Sequence, residues 1–280
     1  MDTWSGGSVE TSAWFPAAGN VRVYDLAVAL EAGMARHPAH PPFSFVLMKK
    51  HGEHAYPGGL TATSEMFSTG GHVGTHVDAL GHVAIDGCIH GGHDVMAGQS
   101  YTGGLAVGSV EEVPPLIGRG HLVDGEALFG RQMTPSDSFG PAELSDWFTG
   151  AAGRTEPGPG SMVLLRTGWM ARHWSVSADA YIGLETGLPG LSLDGARWLS
   201  ERGILAAGSD TMNLEHKVAG VVCLEVHKWF LVQSGIYIME SLALDALAGD
   251  GVREFFFAAA PLRIRGGTGS PIRPMAVVER

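Results

Sequence analysis

The sequence predicts a single α/β domain with a mixed β-sheet core, and three observations carry the prediction. Short apolar runs with strand-like alternation are interleaved with capped helical segments, the order expected of an α/β chain. Gly is abundant at 41 residues and Pro stands at 15, so turns are frequent and elements short. No repeat, charged linker or step in composition interrupts the 280 residues, a length that suits one large domain. Residues 1–20, rich in Gly, Ser and Ala, read as a loose N-terminal arm, and 21–280 as the domain.

Taken in order, residues 21–26 alternate as a strand. Residues 37–42 hold three prolines and form an extended loop, because each Pro pushes its predecessor out of the helical region. A second strand follows at 43–48, and 119–124 and 162–166 are further short strands. Residues 141–148 begin with Pro, which suits the first helical position, and place Leu144, Trp147 and Phe148 on one face. Ser192 caps a helix bearing Ala196, Trp198 and Leu199, which Gly203 ends. Residues 203–208 make the next strand, 226–232 a helix before Gly235, and 236–239 a strand. The reading then turns helical over 240–247 and β-rich over 253–265, and 153–160 is an exposed loop.

Composition narrows the partners. Eighteen basic against 29 acidic residues give a net charge of −11, the wrong sign for nucleic acid or an anionic membrane. Two cysteines, Cys88 and Cys223, form no CxxC pair, so a disulfide scaffold and a cysteine zinc site are both excluded. No apolar run is long enough to span a bilayer, and the first 16 residues carry neither a basic residue nor a long apolar run. The expected compartment is the cytoplasm and the expected partner a small-molecule substrate. The signatures of serine hydrolases, P-loop nucleotide binding and dinucleotide binding are absent.

One segment stands apart: His72-Val-Gly-Thr-His76-Val-Asp78-Ala-Leu-Gly-His82. With 13 His and 13 Asp in the chain, a bare HxxxH is expected about 0.6 times by chance, but HxxxHxDxxxH only on the order of 0.001 times. Imidazole nitrogen and carboxylate oxygen without thiolate suit Zn²⁺, Mn²⁺ or Fe²⁺. His72, His76 and Asp78 supply three ligands and leave room for water, whose pKa a cation lowers toward ~7. A helical turn after Asp78 would stand His82 over the same face, where it can carry a proton between water and leaving group. The bland alternative is a set of ordinary hydrogen-bonded histidines. Signals elsewhere are weaker: His227 and Glu240 flank a helix and strand, and Glu240 alone could simply open the following helix. His90 and His93 lie near enough in sequence to line a pocket, and Asp210 ends a strand, where it either caps or functions.

With these motifs the chain resembles the metal-dependent cyclase-like hydrolase family that includes kynurenine formamidase and isatin hydrolase. The decisive match is residues 72–82. Shorter matches fall in the expected order at 23–26, 33–34 with 40–43, 166–169, 208–211 and 226–242. The resemblance implies a swivelling β/β/α fold and a homodimer or homotetramer. It implies His72, His76 and Asp78 as ligands of a first metal and His82 as the acid/base. It also implies a second metal held by His227 and Glu240 with Asp78 bridging in binuclear zinc members, against a single Mn²⁺ in the isatin hydrolase type. The expected function is hydrolysis of a carbon–nitrogen bond in a small cyclic or formylated aromatic amide, with Phe43, Phe67 and Trp169 lining a flat apolar pocket unless they serve the core. A lactone hydrolase or lyase/cyclase on the same metal, and a non-catalytic metal-binding oligomer, are the alternatives.

Overall fold

The computed structural model describes residues 20–150, 155–221 and 224–279, so all but the last residue of the expected arm, and the start of the 153–160 loop, lie outside the described residues. In chain order the principal strands are β1 (Val21–Asp25), β2 (Ser44–Lys49), β3 (Ser64–Ser68), β4 (His76–Asp78), β5 (Leu116–Asp124), β6 (Met162–Arg166), β7 (Ala206–Ser209), β8 (Tyr237–Glu240), β9 (Glu254–Ala259), β10 (Gly269–Pro271) and β11 (Met275–Glu279). Nine of them form one mixed sheet in the order β1-β11-β9-β5-β6-β7-β8-β4-β10. The centre, β5 through β8, is parallel. Antiparallel strands complete both sides. β2 and β3 form a separate hairpin.

The central strands are apolar on both faces because both are covered. Met162 and Leu164 of β6 pack with Leu122, Phe255 and Phe257 on one side. Val163 and Leu165 point the other way, among Phe139, Leu144, Trp147 and Phe230. Each such burial contributes roughly 1.5–3 kcal/mol. The helices are α1 (Gly125–Phe129), α2 (Pro141–Thr149), α3 (Trp169–His173), α4 (Ala178–Ile182), α5 (Leu193–Glu201), α6 (Glu225–His227) and α7 (Asp245–Gly249); α2, α5 and α6 cover the second face, whereas α7 packs on the first. α2 starts at Pro141 and buries Leu144, Trp147 and Phe148, and the Ser192 hydroxyl caps α5 by accepting from Gly195 N–H. α6 widens into a π-helical stretch, Lys228–Ser234, closed by Gly235 at φ 69°. One mixed sheet with a core on each face makes the single α/β domain that the sequence predicts. Among the described residues, no helix is long and apolar enough to cross a membrane.

Several local expectations change. Glu240 ends β8 instead of opening a helix; Ser241 turns the chain at φ 55°, and α7 begins only at Asp245. Within 253–265 only Glu254–Ala259 is strand, since Pro261 breaks the run, and the chain returns to add β10 and β11. After Asp78 the backbone makes a 3₁₀ turn, Leu80–His82, not an α-helix.

His121 on β5 is 1% exposed, lies opposite Glu254 of β9 and meets Phe148 edge-on at 5.8 Å. Neither ring nitrogen has a hydrogen-bond partner among the described residues, and burial pushes its pKa down to about 4. The folded protein therefore favours neutral His121. The stability this contributes is present above the unfolded value near 6.5 and is lost as pH falls toward 4, roughly 3 kcal/mol in full. Urea midpoints measured from pH 7 to 4 are expected to fall less steeply in His121→Leu than in the wild type; parallel profiles would show that His121 plays no part.

Candidate metal centre

His76 and Asp78 stand two residues apart on β4, so both side chains leave the same face. β8 and β10 flank this strand and fix what lies opposite: Glu240 faces His76 across one edge, and Gly269 faces Asp78 across the other. His76 Nε2 is thereby 3.4 Å from Glu240 Oε2 and 3.5 Å from Asp78 Oδ1. Its other nitrogen, Nδ1, is bonded to the Gly74 carbonyl at 2.8 Å, a contact made possible by the left-handed backbone at Gly74, φ 68°.

His72 enters from the glycine-rich loop before β4. Its Nδ1 lies 2.6 Å from Asp78 Oδ1 and its Nε2 2.9 Å from Thr268 Oγ1. A Cβ on residue 269 would sit 2.4 Å from this ring, so glycine is needed there. The 3₁₀ turn carries His82 back over the cluster, its ring stacked on His72 at 3.9 Å. From the far end of the chain, α6 brings His227 Nε2 to 3.2 Å from Glu240 Oε1 and 3.7 Å from Asp78 Oδ2. All six candidate residues of the centre thus converge. Among the described residues, two groups of three offer donor atoms within 4.8 Å of one another: His72, Asp78 and His82, and His76, Asp78 and Glu240. Asp78 belongs to both. The grouping differs from the expected one, since His76 clusters with Glu240 and His82 with His72.

The electrostatics follow from burial. Desolvation opposes charge at His76, but the Glu240 and Asp78 carboxylates override it and bring its pKa to about 8. The same contest leaves His227 well above its usual value, through Glu215 and Glu240. Glu240 is held down to about 2 against burial by His227 and His76, and Asp78 well below the carboxylate range by His82, His72 and His76. His82 is pushed down to about 4, by burial first and then by the neighbouring His72 and His227, against the pull of Asp78.

Does this set fit a divalent cation? His76 Nε2 and Asp78 Oδ2 are buried without a hydrogen-bond partner among the described residues, on the inner side of the cluster. Orphaned buried polar atoms are costly, and an all-nitrogen-and-oxygen donor set is what Zn²⁺ or Mn²⁺ takes. The carboxylates that hold these imidazoles protonated suit a cation in their place. The residues fit.

A cavity of about 280 Å³ opens beside the cluster, with His40, His72, His82, His227 and Glu240 around the polar end. Ile182, Leu184, Met212, Val221 and Leu224 supply apolar walls, and Asn213 and Lys217 also line it. Of the three expected aromatic contacts, none lines this cavity. Phe43 borders an adjoining hollow with Met34 and Ile182, Phe67 is 59% exposed on the hairpin, and Trp169 is buried against Tyr181. His90 bonds the Val232 carbonyl and His93 is exposed. Asp210 accepts from Thr167 N–H, Thr167 O–H and Gly168 N–H, so it joins the ends of β6 and β7. Sequence reasoning missed Glu215, Thr268 and the cavity walls. The sequence signal for Glu215 is slight, a single carboxylate in the mixed stretch Thr211-Met-Asn-Leu-Glu-His216.

Known proteins share this fold and much of this sequence pattern. The Cyclase family model matches residues 24–216. Isatin hydrolase of Roseibium aggregatum is 29% identical over 216 residues, 75% of this chain and 73% of that one. Among solved structures, a novel cyclase superposes with a TM-score of 0.81 at 25% identity, covering 91% of this chain and 86% of its own. Isatin hydrolase A from Ralstonia solanacearum gives 0.71 at 26% identity over 92% of each chain. With the family model spanning well over half its length, this chain belongs to the cyclase family.

Proposed function

We propose that this protein is a cytoplasmic, metal-dependent hydrolase that cleaves a carbon–nitrogen bond in a small cyclic or formylated aromatic amide. Its centre holds one or two divalent cations, Mn²⁺ or Zn²⁺, through His72, His76, Asp78, His227 and Glu240. The observation that carries the reading is Asp78: a buried carboxylate shared by two three-donor groups, beside unpartnered His76 Nε2. The likeness to isatin hydrolases supports the choice of bond and substrate class.

When bound, a divalent cation polarises a substrate carbonyl and acidifies a water beside it. The chain supplies the rest. Apolar walls at Ile182, Met212 and Leu224 hold the ring of the substrate and exclude water. His82, neutral at pH 7, accepts the proton of the attacking water on a ring nitrogen. The charge of Asp78 favours the imidazolium, which then gives the proton to the departing nitrogen. His72, stacked on His82 at 3.9 Å, keeps the ring in place.

Hydrolysis of isatin, N-formylkynurenine and a lactone counterpart, run beside elemental analysis, tests this. Full-length His82→Ala is expected to keep its metal and lose 10²–10⁴-fold in kcat. Asp78→Ala is expected to lose the metal. Loss of metal from His82→Ala would make His82 a ligand, and metal with full activity in both variants would end the reading.

We also infer a homodimer or homotetramer built through the β2–β3 hairpin. Phe45, Val46, Met48, Met66 and Phe67 are each 45–63% exposed there, although an isolated two-stranded hairpin is marginal in water. Leu47 on the same strand is exposed as well, so the apolar surface of β2 is continuous. Light scattering behind gel filtration is expected to give an oligomer for the wild type and a smaller species for Phe45→Glu with Phe67→Glu. A monomeric wild type at micromolar concentration would exclude it.

A further inference from the structure

Glu215 is one of the most buried acidic side chains in the protein, 3% exposed, and it belongs to neither three-donor group of the centre. Its Oε1 lies 2.6 Å from His227 Nδ1, and its Oε2 accepts the Val226 N–H at 3.1 Å. Both carboxylate oxygens are therefore committed to the first turn of α6. The backbone beneath is equally fixed. Glu215 N–H donates to Asn213 Oδ1 at 3.0 Å, and residue 215 bridges Leu191 beside Gly190, where a Cβ would come within 2.6 Å of the Glu215 backbone.

The two nitrogens of an imidazole face opposite ways, so a ring anchored at Nδ1 presents Nε2 to whatever lies beyond. For His227 that is Glu240 Oε1 at 3.2 Å and Asp78 Oδ2 at 3.7 Å. An Nδ1–H donated to Glu215 keeps Nε2 directed at the two carboxylates, where a cation would take the place of its proton. The other rings are held differently. His76 is anchored by a neutral carbonyl, that of Gly74, and His72 Nδ1 contacts Asp78, itself a candidate ligand. His227 is the ring of the cluster held by a carboxylate outside the donor groups.

We infer that Glu215 is a positioning residue for the metal centre: it fixes the tautomer and orientation of His227 and raises the basicity of Nε2 toward a divalent cation. The inference rests on the proposed reading of the site as a metal centre. A carboxylate behind a ligating imidazole typically changes metal affinity 10–100-fold. A purely structural Glu215, present to cap Val226 N–H, would change thermal stability and leave affinity alone.

The experiment uses the full chain, stripped and reloaded with Mn²⁺ or Zn²⁺, as wild type, Glu215→Gln and Glu215→Ala. Affinity is read by competition with a chromophoric chelator, stoichiometry by elemental analysis, and folding by the melting temperature of metal-free protein. Expected is wild-type binding at least 10-fold tighter than Glu215→Ala, with Glu215→Gln between them because an amide oxygen still accepts from Nδ1–H. Histidine ¹⁵N spectra of the metal-free protein are expected to show one ring whose Nδ1 stays protonated, a state that becomes mixed in Glu215→Ala. Should Glu215→Ala not fold, the weakened binding of Glu215→Gln carries the test, and wild-type affinity in that variant overturns the inference. Unchanged affinity in both variants, with the wild type binding tightly, overturns the inference alone. A wild type that binds neither cation overturns the metal-centre reading and this inference with it.

Discussion

Everything at the centre depends on two buried carboxylates, Asp78 and Glu240, on neighbouring strands of one sheet. Taking an ionised carboxylate out of water costs several kcal/mol, and two near one another repel. Such a pair persists only where positive charge surrounds it. His72, His76 and His227 stand within hydrogen-bonding or ion-pairing distance of one or both. The pKa values move accordingly, with the acids held ionised and His76 and His227 protonated. This is an electrostatic arrangement that a divalent cation satisfies more compactly than two imidazolium rings.

The sheet gives that arrangement its precision. Pairing of β4 with β8 places Glu240 against His76, and a slip of one residue would turn both candidate ligands of β4 to the other face. Because β8 is itself locked into the parallel centre of the sheet, the register of the strand bearing the candidate ligands is inherited from the hydrophobic core. Rigid strands thus carry His76, Asp78 and Glu240, while His72, His82 and His227 come from a loop, a 3₁₀ turn and a short helix that close over them.

How much of this was legible in the sequence varies with the physical signal. Capped or strongly patterned elements such as α2, α5 and β6 announce themselves through Pro141, Ser192 and an unbroken apolar run. β4, β10 and β11 do not. Three to five residues are too few to show a period, and Pro271 disguises β10, where an edge strand tolerates it. The HxxxHxDxxxH cluster was legible because chance almost never produces it. Its geometry was not, since the HxD spacing is read as a strand only once β8 and β10 are in place. Glu240 was misjudged as a helix start because local propensity cannot see Ser241 turning the chain at positive φ. Trp169 looked like a pocket residue for its chemistry, but aromatic rings mostly fill cores, and it packs against Tyr181.

Chain order ties the candidate interface to the site. The loop bearing His37 and His40 lines the cavity, the next residues climb into the exposed hairpin, and the descending strand β3 delivers the loop that holds His72. His40 and His72, at the two ends of this excursion, lie with ring centroids 5.1 Å apart. A displacement of the hairpin therefore bears on one cavity wall and one candidate ligand together. A partner surface seated on Phe45 and Phe67 would lie two short covalent paths from the centre, one through His40 and one through His72.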